Sequence, residues 1–152
     1  MGCYTAMLPG SDSKVDVMWY AKSMSSVGKP QPELVHMLQA IDRTDLLESR
    51  SIRKLSWADF CAAYGVATVD VVQVDCEGKD CAILRGLLEH CVQHPKSYPR
   101  VVQFELNHLT PQCEAEALLH ALHTCGYVVR SQTRENVVVE RGWSFAKDFR
   151  GV

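Results

Sequence analysis

The stretch Val69-Asp70-Val71-Val72-Gln73-Val74, followed at once by Asp75-Cys76-Glu77-Gly78, limits this chain's fold more than any other part of it. Four valines in six positions favour extended backbone, because branching at Cβ crowds a helix and packs well on a pleated surface. A nearly unbroken apolar strand of this kind, Val69 to Val74, is usually covered on both faces, which implies a parallel sheet flanked by helices. Helical spacing follows: Ile83, Leu84, Leu87, Leu88, Cys91 and Val92 make one broad apolar stripe. Val101 to Phe104 is a second buried-type strand, ending at Glu105. Thr110 can cap the next helix with Pro111 at its first position, and Leu118, Leu119 and Leu122 form its core face. Gly126 stands where helices commonly end. Tyr127 to Arg130 and Val137 to Glu140 read as a closing antiparallel pair. The fold class is therefore α/β, the second half of a doubly wound, mostly parallel sheet.

Upstream of this core the signals are shorter. Residues 1–14 read as a poorly ordered lead-in, and 15–150 as one domain. Val15 to Tyr20 suits a strand and Lys22 to Gln31, rich in Ser and Gly, a loop. Pro32 can open a helix with Leu34, Met37, Leu38 and Ile41 along one face. Ser49 to Leu55 reads as a strand, and Trp57 to Tyr64 as a short helix ending near Gly65. The formal charge is -2 with no basic block, which argues against a nucleic-acid partner and against a polybasic membrane anchor. No apolar run is long enough to span a bilayer, and the first ten residues lack the pattern of a secretory signal. The seven cysteines are odd in number and scattered, which suits reduced thiols in a cytoplasmic setting.

In open α/β sheets ligands bind beyond the carboxyl ends of the strands. Asp75 and Glu77 stand at the end of the central strand; Glu105, Asn107 and His108 stand at the end of the next. Neighbouring strands lie about 5 Å apart, so these groups can converge on one pocket. The same acids can also do no more than cap the helix that follows, since carboxylates favour helix N-termini. Gly78 permits a sharp turn from strand to helix. Cys91 and His94 are spaced to chelate, but without paired metal-binding motifs the cysteines are read as core thiols and no metal is expected. His36, His120 and His123 fall within helices; no Gly-x-Ser-x-Gly turn supports a serine nucleophile.

The motifs resemble the FkbM-type methyltransferases. That family carries a stretch close to Ile-Asp-x-x-Lys-Ile-Asp-Val-Glu-Gly-x-Glu and then a helix with Val-Leu-x-Gly. The corresponding residues here are Val69 to Asp80, then Ile83-Leu84-Arg85-Gly86. The family's Pro-x-Val-Val-x-x-Glu strand is matched by Pro99 to Glu105, and its late Gly-Tyr by Gly126-Tyr127. Ser56-Trp57-Ala58, followed by Asp59 and Phe60, aligns with its Thr-Leu-Asp segment. The likeness covers roughly residues 50 to 140.

The resemblance implies a Rossmann-like fold and methyl transfer from S-adenosylmethionine to a hydroxyl of a small molecule or glycan. It implies Asp75, Glu77, Glu105 and His108 as catalytic candidates, Asp75 and Gly78 as cofactor contacts and Asn107 as a substrate contact. The departures are specific. Gln73 stands where the family has Lys, and Ala58 where it has Asp. The family's cofactor segment, a strand with a Gly-x-Gly turn, has no counterpart, since Gly2, Gly10 and Gly28 follow no convincing strand. The alternative expectation is thus a non-catalytic fragment or an association partner, with homo-oligomer formation through an exposed sheet edge.

Overall fold

The first half of the chain supplies short strands and two small helices. A computed structural model of the protein describes residues 5–6, 15–21 and 24–142. Thr5–Ala6 (β1), Val15–Ala21 (β2), Met24–Val27 (β3) and Glu48–Leu55 (β4) form a four-stranded sheet in the order β1-β4-β2-β3. β2 pairs antiparallel with both β3 and β4, and β1 pairs parallel with β4. Most of the expected lead-in, 1–14, lies outside the described residues. The loop expected over Lys22 to Gln31 needs correction, since Met24–Val27 is a strand with its register set by β2, Met18 opposite Val27 and Ala21 opposite Met24. Cross-strand pairing overrides the weak strand preference of Ser.

Helix α1 (Pro32–Ala40) opens on Pro32, whose missing N–H is no loss in the first turn. Leu34 and Leu38 are buried against Leu46 and Leu47. Met37 and Ile41, 45% and 57% exposed, do not share that face, and Ile41 lies beyond the helix end. Helix α2 (Trp57–Tyr64) has well-defined ends. The Ser56 Oγ accepts from the Asp59 N–H at 3.0 Å, and Gly65, at φ 64°, takes the left-handed turn that closes the helix.

The second half builds another four-stranded sheet from β5 (Val71–Gln73), β6 (Val101–Glu105), β7 (Tyr127–Gln132) and β8 (Asn136–Arg141), in the order β5-β6-β8-β7. β5 and β6 are parallel neighbours, joined through helix α3 (Asp80–Gln93). β8 runs antiparallel to both β6 and β7, and helix α4 (Gln112–Thr124) connects β6 to β7. The expected parallel pair is present, with β5 confined to Val71–Gln73 of the expected Val69 to Val74, and so is the closing hairpin. The architecture is α/β with mixed, partly parallel sheets; the single mostly parallel sheet is not what forms, since β1 to β4 build a second, largely antiparallel one. The end of the expected domain, beyond 142, lies outside the described residues.

The core sits under this second sheet. Val72, Val74, Val102, Phe104, Val137 and Val139 from the strands meet Leu84, Leu87, Leu88, Leu118 and Leu122 from α3 and α4. Tyr127 is buried to 2% exposure, and its hydroxyl donates to the Pro99 carbonyl at 2.6 Å. Val92, at 66% exposed, falls outside the expected stripe. The N-cap of α4 is Pro111 rather than Thr110. A turn closed by the Thr110 N–H on the Asn107 carbonyl at 3.1 Å delays the helix, and the Thr110 Oγ1 is buried without a hydrogen-bond partner.

Candidate functional site

Beyond the carboxyl end of β5 the chain reverses through Cys76-Glu77-Gly78-Lys79. The Lys79 N–H closes the turn on the Cys76 carbonyl at 3.1 Å. Glu77 and Gly78 both have positive φ, 49° and 81°, the pattern of a primed turn. At Gly78 a second constraint applies. A Cβ there would lie 2.9 Å from both the Cβ and the carbonyl oxygen of Leu109, so only glycine lets the β6–α4 loop approach.

The side chain that organises this end of the sheet is Asp80, the first residue of α3. It is fully buried, at 0% exposure. One carboxylate oxygen accepts from the Cys76 N–H at 3.2 Å and the other from the Glu105 N–H at 3.1 Å. A single carboxylate thus ties the turn after β5 to the end of β6. Burial pushes its pKa up, and the hydrogen bonds from the Glu105 and Cys76 N–H groups oppose that rise. Sequence reasoning passed over Asp80, because an acid in the first turn of a helix reads as a partner of the helix dipole. The usable signal was its position at the helix start just past a buried parallel strand, where a carboxylate can serve N–H groups of two neighbouring strand ends.

Glu105 is partly buried and its Oε2 accepts from the Asn107 Nδ2 at 2.8 Å. The Asn107 Oδ1 in turn accepts from the Leu109 N–H at 2.9 Å, which shapes the loop that meets Gly78. Burial raises the pKa of Glu105, and Asp75, Glu77, Asp80 and Glu135 raise it further in that order. Of these acids only Asp75 lines a cavity beside β5; Glu77 and Glu105 lie near it at the paired strand ends but do not line it. His108 stands apart: its side chain is 70% exposed, and it faces Glu33 of α1 at 3.8 Å.

A cavity of about 490 Å³ opens beside β5. Its walls include Val72, Gln73, Val74, Asp75 and Cys76 on one side and Ser56, Trp57 and Phe60 on the other. Of the five in succession only Val72 and Gln73 lie within β5, and the cavity continues past the strand's carboxyl end along Val74, Asp75 and Cys76. Among the described residues β5 pairs only with β6, so its other edge is unpaired. The Trp57 indole N–H donates to the Ile83 carbonyl at 3.2 Å, and its ring meets Phe60 edge-on at 5.8 Å. Asp75 is exposed and lines the cavity.

This donor set meets only part of what S-adenosylmethionine requires. Asp75 and Ser56 offer polar contacts and the two aromatic rings an apolar wall. Gly78, the glycine at a strand end, has its open side filled by Leu109 rather than free for a ligand. Among the described residues no group of three or more His, Cys, Asp or Glu side chains is arranged to hold a metal ion. The six described cysteines are thiols rather than disulfides, and burial lifts the pKa values of Cys81 and Cys91 to about 11. The reading of the histidines missed one pair: the His90 and His94 rings lie 4.5 Å apart at the far end of α3. Compared with known proteins, the chain matches no family model, no curated protein and no solved structure.

Proposed function

We propose that this chain forms the acceptor side of a methyl-transfer site of the FkbM, Rossmann-like type, one that uses S-adenosylmethionine and methylates a hydroxyl of a small molecule or glycan. The observation that carries the reading is the Asp75–Gly78 turn at the end of β5, tied through Asp80 to Glu105 at the end of the adjacent parallel strand. Methyl transfer to oxygen needs the acceptor held in line and a group to take its proton. Asp75, which lines the cavity, is suited to those tasks; Glu105 at the neighbouring strand end is not among the cavity-lining residues and would act through the shared turn. His108 is a weaker candidate on this reading because of its exposure.

The second reading, a non-catalytic association partner, is favoured by the way Leu109 fills the space at Gly78 and by the unpaired edge of β5 among the described residues. Calorimetric titration of the chain with S-adenosylmethionine and its demethylated product tests whether the chain holds a complete cofactor site. The partial donor set leads us to expect no saturable binding at micromolar cofactor, because ordering costs remain while contacts are few. Saturable micromolar binding that is lost in Asp75→Asn would establish a complete site in this chain. Binding unchanged by both Asp75→Asn and Glu77→Gln would place the ligand elsewhere and remove the basis for the methyl-transfer reading.

A further inference from the structure

The far end of α3 carries an arrangement that the acidic turn does not use. His90 lies in the last turn of the helix and His94 is its C-terminal cap, four residues on. Residues four apart on a helix share one face. Their ring centroids are 4.5 Å apart with the planes inclined at 38°. The cap itself is ordered, with the His94 N–H donating to the His90 carbonyl at 3.0 Å. His90 is partly buried and His94 exposed, so one ring is braced and the other reaches solvent.

We propose that His90 and His94 form a two-imidazole clasp for a divalent transition-metal ion of the Zn²⁺, Ni²⁺ or Cu²⁺ class. Imidazole nitrogens suit these ions, whereas Mg²⁺ and Ca²⁺ select oxygen ligands. Each nitrogen would sit at about 2.0–2.1 Å from zinc, leaving the remaining coordination positions to water on the exposed side. The carbonyl end of the helix carries the negative pole of its dipole, which favours a cation there. The adjacent Cys91 does not belong to the clasp: it is fully buried and its thiol donates to the Ser97 carbonyl at 3.3 Å. Ten residues of helix, about 15 Å, separate His90 from Asp80, so the metal site stands independently of the methyl-transfer reading.

The test is a Zn²⁺ titration of the isotopically labelled full-length chain at neutral pH under a non-chelating reductant, read at the imidazole nitrogens by NMR. We expect His90 and His94 to shift together and saturate with one ion, and the same concentrations of Mg²⁺ to leave both unmoved. His94→Ala should weaken the response at His90 on the order of a hundredfold or more, because a chelate becomes a single ligand. His94→Asn, which keeps a polar cap, should lose zinc binding equally, and the amide spectra of both variants report whether the fold is intact. The double variant His120→Ala/His123→Ala should bind zinc like the parent. Absence of a saturable shift at His90 and His94 would overturn the proposal, as would an undiminished His90 response in the His94 variants.

Discussion

Removing the Asp80 carboxylate leaves the N–H groups of Cys76 and Glu105 without their acceptor. Asp80→Ala is therefore expected to lower unfolding stability by about 3 kcal/mol in urea denaturation. Asp80→Asn keeps one oxygen but turns an amide donor toward the second N–H, so its loss should be intermediate. Glu105 gives a pH-dependent expectation. Its folded pKa is raised above the ordinary value of 4.5, so the folded state prefers it neutral. The stability it contributes is complete below that value and is lost as pH rises through the higher folded pKa. Glu105→Gln should therefore be more stable than the parent at neutral pH, with the advantage shrinking to nothing below roughly pH 4. Thermal unfolding of both proteins across that range checks the sign. At this scale the positions of Asp75, Glu77 and Glu105 at neighbouring strand ends were legible from the valine-rich runs before them, whereas which of them reaches the cavity was not. Nor was Asp80, because its partners come from two strand ends that only the folded sheet brings together.

The helices and strands show where local chemistry suffices and where it does not. Ser56 and Asp59 cap each other, with the Ser56 hydroxyl also donating to the Asp59 carboxylate at 2.8 Å. Ser56→Ala should cost about 1 kcal/mol, measured by chemical denaturation, and should loosen the Trp57–Phe60 wall of the cavity. The limits of α2 could be read from Ser56 and Gly65 because both act within a single helical turn. The parallel pair β5 and β6 was readable from its valine-rich runs, but burial on both faces does not hold for β5, where Val71 is 55% exposed and only Val72 of Val71–Gln73 is buried. β3 was hidden because the polarity of Ser25 and Ser26 is no guide to pairing: Met24 to Val27 are held by their register against β2. The start of α4 shifted from Pro111 to Gln112 because Asn107 and Thr110 first complete a turn of their own. The His90–His94 pair was legible in principle from its spacing of four on a predicted helix, and only ring geometry distinguishes such a pair from two solvated histidines.

At the scale of the whole molecule the second half of the chain follows the α/β expectation while the first half departs from it, forming a largely antiparallel sheet. The reason is one of range: β2, β3 and β4 carry mixed, short patterns whose pairing is decided only by their neighbours. No helix among the described residues is long and apolar enough to cross a membrane. The Asp80 tie also has a consequence in time. Its bond to Glu105 spans 25 residues and cannot form until β6 has docked beside β5. Contacts that close such long loops tend to be absent from a folding transition state built on local structure. Asp80→Asn should accordingly leave the refolding rate nearly unchanged and accelerate unfolding, a shift confined to one arm of the chevron. The carboxylate would then act as a latch on the finished sheet, setting how long the native state persists rather than how quickly it is reached.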